Sequence, residues 1–460
     1  MDYDVIIIGA GLSGLAAGIR LAHFGQRVCI LEKHGRVGGL NSYYPIQGRI
    51  TDVGLHAMTN YVPKSVKSAP LVKILRQLRL SYDDLQLCPQ ATSRIIFPEK
   101  ELQFTNDFHF LVQEIADKFP GQVDRFMKLT RSLVSYDDFS LGEKSVSTRT
   151  VLNSFLSDPL LIEMLLCPVL FYGSPKEDDI DFSQFSILFR SIFTEGFARP
   201  RQGMQQILHL LVEKYRESGG ELRTRCQAHH LGIQKDLVAE VHLADGEILG
   251  AKTFISSIGL PETRALCSHW EPLAQEPEPG ELSFIESILF TDVFPSQALG
   301  FEPTILFYSD SDRFCYKKPD GPVDLSSGVV CCPNNYQLTE PMPEGIIRLT
   351  HLANFSLWNG FDASEYRMAK DRWAQESVKK AERFIPCLSQ HIKAQDTFTP
   401  KTVLKFTGRC NGAVYGSPDK VSDGRTPIKN LFICGTDQGW VGIVGTLLSG
   451  ITIANKYVLY

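Results

Sequence analysis

Gly9-Ala10-Gly11-Leu12-Ser13-Gly14 places three glycines at the spacing that brings main chain against a phosphate. Gly9 permits a tight turn, Gly11 allows close approach to a pyrophosphate, and Gly14, with Gly18, lets a helix pack tightly on a strand. The free N–H groups at the start of that helix favour an anion. The flanks supply the elements such a loop requires. Val5–Ile8 is β-branched, uncharged and ended by glycine, which predicts a buried parallel strand. Leu15–Ala22 has small and apolar residues at helical spacing, and Arg27–Leu31 reads as a second strand ending at Glu32. Glu32 stands where a carboxylate accepts from a ribose hydroxyl, and it repels a 2′-phosphate, which argues against NADP. The order strand, glycine loop, helix, strand, acid predicts dinucleotide binding and leaves NAD and FAD open.

The next residues separate the two. Arg36-Val37-Gly38-Gly39-Leu40-Asn41 follows Glu32 closely, and Gly48-Arg49-Ile50-Thr51-Asp52-Val53-Gly54-Leu55-His56 comes after it. A second glycine pair lets main chain lie along a longer cofactor. This series resembles the flavoproteins that include amine oxidases and phytoene desaturases, in which the acid, the paired glycines and an Asp-x-Gly turn recur in this order.

A second block lies near the other end. Asn430–Cys434 is a short apolar strand, followed by Gly435-Thr436-Asp437-Gln438-Gly439-Trp440-Val441-Gly442-Ile443-Val444-Gly445 and a helix over Thr446–Ala454. A helix start here can stabilise negative charge near N1/O2 of a reduced flavin. The stretch resembles the closing FAD motif of the same family, with Thr436 inserted between Gly435 and Asp437. In the middle, Arg199–Ile207 opens a helix to about Ser218, Gly219–Thr224 starts a strand, and Val238–Leu243 and Phe254–Ile258 read as strands with a turn at Asp245-Gly246. This run resembles the family's "P-x-G-G-M" helix and the strand after it, with Gln202 replacing one glycine. Asp396–Pro400 and Gly408–Gly416 narrow the resemblance to the branch of phytoene desaturases, carotenoid isomerases and retinol saturases.

The resemblance implies FAD as cofactor. The residues implied to bind it are Gly9, Gly11, Leu12, Ser13, Gly14, Glu32, Lys33, Gly38, Gly39, Leu40, Ala228, Gly435, Asp437, Gly442, Ile443 and Val444. Asp437 is the implied partner of the ribityl chain, and Ala228 the implied adenine contact. Cofactor blocks scattered along the chain must converge on one FAD. The expected fold is therefore α/β: a discontinuous Rossmann-type FAD-binding domain (1–64, 198–264 and 396–460) with an inserted α+β substrate domain (65–197 and 265–395). Pro272–Gly280 reads as a surface loop.

Substrate-side chemistry is sparse. His56 follows the Asp-x-Gly turn, where the family's chain passes near the flavin; it is a candidate catalytic residue or a structural histidine. Trp440 divides in the same way between a flavin-facing role and core packing. Phe182, Phe185, Phe189 and Phe193 form a stripe on a predicted helix, either core or the lining of an apolar tunnel. Leu160, Leu161, Met164, Leu165 and Leu166 offer another apolar face. No histidine or cysteine spacing fits a metal, so none is expected.

Composition agrees with this. The chain has 460 residues, 43% apolar and 22% charged, with a formal net charge of −5. That excludes a disordered chain and argues against nucleic acid as a partner. The acidic start, the 11 scattered cysteines and the lack of an apolar run near 20 residues lead us to expect a cytoplasmic protein, with peripheral membrane contact left open. The expected function is a flavin-dependent oxidoreductase acting on C–C or C=C bonds of an apolar polyene or lipid by hydride transfer at flavin N5. The alternatives are an amine oxidase-type FAD enzyme and a non-catalytic FAD-binding lipid carrier.

Overall fold

The computed structural model describes residues 2–54, 56–134, 146–268, 270 and 276–460. Of the expected loop 272–280, residues 272–275 lie outside the described residues. Two seven-stranded sheets organise the molecule. The first has the order Ala228–Gln234, Leu237–Leu243, Ile248–Ser256, Tyr3–Ile8, Val28–Glu32, Glu221–Thr224. Tyr3–Ile8 runs parallel to both neighbours, pairing Val5 with Thr253 and with Val28. Ile248–Ser256 is divided along its length. Its first half pairs antiparallel with Leu237–Leu243, and its second half pairs parallel with Leu431–Ile433, Phe254 opposite Leu431.

Strand geometry explains the apolar run at the start of the chain. Successive side chains point to opposite faces. Val5 and Ile7 enter one core with Val28 and Ile30, whereas Ile6 and Ile8 enter another with Cys29 and Leu31. Both faces are covered from Val5 to Ile8, which is why those four positions are apolar while Asp4, at the open end, is charged. The helix Leu12–His23 covers the first face together with the helix Gly442–Tyr457. The two approach so closely that a Cβ on Gly450 would collide with the Ser13 carbonyl.

The second sheet has the order Ile392–Phe398, Ser283–Thr291, Gly345–Ala353, Ser327–Cys331, Ile305–Ser309, Ser93–Ile96, Glu101–Phe104. All its pairings are antiparallel except that of Ile305–Ser309 with Ser93–Ile96. One face packs on the helix Ala363–Ala381. The other packs on the helices that contribute Leu111, Phe126, Leu165 and Phe189.

Three placements differ from the sequence expectation. Ile392–Phe398 crosses the expected boundary at 395/396 and forms an edge of the second sheet, because Ser283–Thr291 offers it a full ladder. The helix Pro70–Gln77, expected in the insert, buries Leu71, Ile74 and Leu75 in the core around the first sheet. The stripe Phe182–Phe193 is helical to Phe189, then continues as a π-helical turn over Arg190–Glu195. Its four rings are buried in the core of the inserted part, with Phe189 and Phe193 centroids 5.0 Å apart. The apolar helix Pro159–Gly173 is likewise core on nearly all sides. Among the described residues, no helix is long and apolar enough to cross a membrane.

Candidate active site

A cavity of about 350 Å³ opens at the carboxyl end of the first sheet's parallel strands. The glycine loop forms its floor. Gly9 has φ +94°, a backbone state only glycine adopts cheaply, and a Cβ there would come within 2.7 Å of Ser257 Oγ. A Cβ on Gly14 would strike the Gly9 carbonyl, which fixes the distance from helix to strand. Gly11 is different: a Cβ there meets nothing within 4 Å. Its bare main chain faces open space at the start of a twelve-residue helix that has no side-chain cap. A bare loop at an uncapped helix start has the form that suits an anion such as a pyrophosphate.

Glu32 is 8% exposed, and its two oxygens are held by the Ala10 N–H (2.9 Å) and the His34 N–H (2.8 Å). Each keeps a further lone pair for a ribose hydroxyl. Gly38 donates its N–H to the Ala10 carbonyl at 2.8 Å, which ties the second glycine pair to the first loop. Leu12, Ser13, Lys33, Gly39, Leu40, Ala228 and Gly435 also line this cleft.

Five residues expected here do not line it: Gly442 and Ile443 line a second cavity, and Gly14, Val444 and Asp437 line neither. Gly14 sits behind the loop. Val444 is 2% exposed and packs in the core behind the cleft. Asp437 is fully buried: its carboxylate accepts from the Leu260 N–H (2.6 Å), the Ser417 N–H (3.0 Å) and Arg409 Nη1 (3.3 Å). The short 3₁₀ turn Thr436–Gln438 points consecutive side chains to different sides, so Thr436 lines the cleft and Asp437 turns inward. Burial pushes the Asp437 carboxyl up, but Arg409, Lys420 and the two N–H groups outweigh it, and the net shift is downward. Asp437 therefore holds Arg409, and Arg409 Nη2 donates to Thr436 Oγ1 at 2.9 Å. Arg409, Thr436, Ser257 and Glu262 are lining residues to which the sequence reading assigned no role. The Gly408–Gly416 motif was a signal for the first of these.

A second cavity of about 150 Å³ lies between the sheets. Leu40, Asn41, Thr436 and Thr446 line both cavities, so the two meet there. Gly442 and Ile443 bring the uncapped start of the last helix to this junction. Trp440 lines neither cavity; it is 9% exposed and packs beside Gly445. The second cavity is mainly apolar, with Val53, Phe171, Phe284, Phe398, Val414 and Tyr415 in its wall.

Three of the polar groups in that wall, His56, Glu286 and Thr350, come together. His56 Nε2 lies 2.8 Å from Thr350 Oγ1 and 3.5 Å from Glu286 Oε2. Glu286 faces Thr350 across two strands and receives Arg348 Nε at 2.5 Å. Arg348, 2% exposed, also donates to the Val53 carbonyl at 2.6 Å. Behind it, Asp52 binds Arg199 at 2.5 Å and accepts the Met204 N–H at 2.8 Å, which caps the helix Met204–Glu217. Two buried anions thus face two buried cations. Burial, then the nearby Arg348 and Arg199, lower His56 to about 3, so its ring is neutral. Burial raises Glu286, and Arg348 and Thr350 oppose that rise. The Tyr172 hydroxyl, on another lining residue, is buried and makes no hydrogen bond among the described residues.

A family model, "Flavin containing amine oxidoreductase", matches residues 12–297. The chain belongs to that family. Prolycopene isomerase 2 of an Oncidium hybrid cultivar is 24% identical, over 99% of this chain and 84% of its own length. The all-trans-retinol 13,14-reductase of Danio rerio is 22% identical, over 98% and 85% respectively. Among solved structures, an oxidoreductase from Methanosarcina mazei superposes with a TM-score of 0.68 at 17% identity, covering 98% of this chain and all of its own. A fatty acid isomerase from P. acnes gives 0.61 at 14% identity, with 99% of each chain covered. The protein is an FAD-dependent oxidoreductase. The glycine cradle, the acid at the ribose end and the helix start at the junction suit FAD, which supplies a two-electron acceptor or donor when bound.

Proposed function

We propose that this flavoenzyme acts on C–C or C=C bonds of an apolar polyene or lipid, by desaturation, saturation or double-bond isomerisation. The observation that carries the reading is the meeting of the cofactor cleft with an apolar cavity at Leu40, Asn41, Thr436 and Thr446. The related isomerase and reductase, named for prolycopene and retinol, support it. The walls exclude water and hold an extended apolar chain against the junction. Glu286 is paired with Arg348, so the cavity offers no uncompensated carboxylate to an amine cation, which favours the polyene or lipid reading over the amine oxidase one.

The cofactor residues follow the same reasoning. Gly9, Gly11 and Ser13 cradle the pyrophosphate, Glu32 binds the adenosine ribose, and Gly442 and Ile443 face the flavin ring. A division between a cofactor unit (1–64, 198–264, 396–460) and an inserted substrate unit (65–197, 265–395) belongs to the same proposal, with the shifts of Ile392–Phe398 and Pro70–Gln77 described above. Anaerobic incubation of the enzyme with a carotenoid, a retinoid and an unsaturated fatty acid tests the function, with flavin bleaching and product mass followed together. Conversion of one class is the expected outcome; no change with any of them refutes the reading.

A further inference from the structure

The polar network in the apolar cavity has a direction. Glu286 is the carboxylate partner of the buried Arg348, so it can only accept. His56 Nε2 lies 3.5 Å from that carboxylate and 2.8 Å from Thr350 Oγ1. The ring nitrogen turned toward an acceptor-only carboxylate carries the hydrogen, which places the imidazole proton on Nε2. A neutral ring with Nε2–H has a lone pair at Nδ1. Among the described residues Nδ1 makes no hydrogen bond, and the ring, held from behind, lines the cavity with 16% of its side-chain surface accessible. The backbone is fixed as well, since Tyr336 Oη donates to the His56 carbonyl at 2.7 Å.

Resting on the polyene or lipid reading, we propose that His56 Nδ1 accepts a hydrogen bond from a hydroxyl of the substrate. The preferred substrate class is then a long apolar molecule bearing one alcohol group. A hydrocarbon leaves the buried acceptor unpaired. An ionised carboxylic acid has no proton to offer and places its charge near Glu286. Asn41, Thr436 and Thr446 stand at the junction with the cofactor cleft, whereas His56 and Tyr172 line the apolar cavity alone, and of these two the imidazole lone pair is the stronger acceptor.

The test is equilibrium binding of three probes to the FAD-loaded enzyme: all-trans-retinol, its deoxy hydrocarbon and retinoic acid, followed by polyene fluorescence. An unpaired buried acceptor is worth about tenfold or more in affinity, so retinol should bind at least that much more tightly than the hydrocarbon. His56→Phe keeps a flat ring without the acceptor, and should bring the alcohol-to-hydrocarbon ratio to near one with FAD retention unchanged. Equal binding of alcohol and hydrocarbon by the unaltered enzyme overturns the proposal without any variant. Unaltered discrimination in His56→Phe, with shifted flavin bands, also overturns it by assigning the ring to the cofactor. If none of the three probes binds, it is the polyene reading of the cavity that fails.

Discussion

The cofactor cleft and the apolar cavity share four residues yet are made differently. The cleft is shaped by main chain. Gly9, Gly11, Gly14 and Gly38 set its form by what they lack, and its polar contacts are largely backbone N–H groups. The apolar cavity is shaped by side chains from strands and helices hundreds of residues apart, steadied by a buried Glu286–Arg348 pair. A surface built from backbone fails when any bulk is added. A surface built from side chains fails when charge or packing is unbalanced.

Four experiments probe that contrast. Gly14→Val, which drives side-chain atoms into the Gly9 carbonyl, should abolish FAD retention, read as flavin absorbance per purified protein. Retained FAD would show that the helix can move off the strand. Arg348→Met leaves Glu286 buried and unpaired and should cost about 3–5 kcal/mol in denaturant unfolding, with Glu286→Leu added in the double variant restoring most of it. A double variant as unstable as the single would show that packing, not charge, holds this wall.

Acid should act on the side-chain-built region first. His56 is lowered to about 3 and His351 to about 4 from the ordinary imidazole value of 6.5, each chiefly by burial. Both bind protons more readily when unfolded, so their stability is fully present above pH 6.5 and declines as pH falls toward those values. Each contributes about 1.4 kcal/mol per pH unit over its window. Denaturant midpoints measured from pH 7 to 4.5 check this, and replacing His351 with Phe should flatten the slope. The smallest effect is expected where a side chain does matter in the cleft. Glu32→Ala frees the Ala10 and His34 N–H groups and should weaken FAD binding by about tenfold without displacing the loop.

The contrast also explains what could be read from the sequence. A main-chain cradle needs glycine at fixed spacing within one short segment, so residues 9–14, 38–39 and the strand–helix order around them were visible as text. The apolar cavity has no such signature. His56, Glu286 and Thr350 come together only because Ser283–Thr291 and Gly345–Ala353 pair in one register, Glu286 opposite Thr350. Asp437 shows the limit of spacing arguments. One inserted residue, Thr436, together with a 3₁₀ turn is enough to exchange which side chain faces the cleft. The phenylalanine stripe shows another limit, because the same periodicity serves a core or a tunnel, and burial on every side decides for core.

The close seating of the last helix on the first has a consequence for how the protein is made. Arg20 in the first helix binds Asn455 in the last, 435 residues later. The glycine loop is synthesised long before the helix that covers its supporting face and reaches the junction of the two cavities. A growing chain therefore carries an exposed apolar helix face until those further residues have been made. Shielding of the nascent chain, rather than early cofactor capture, should govern the yield of holoenzyme in a cell.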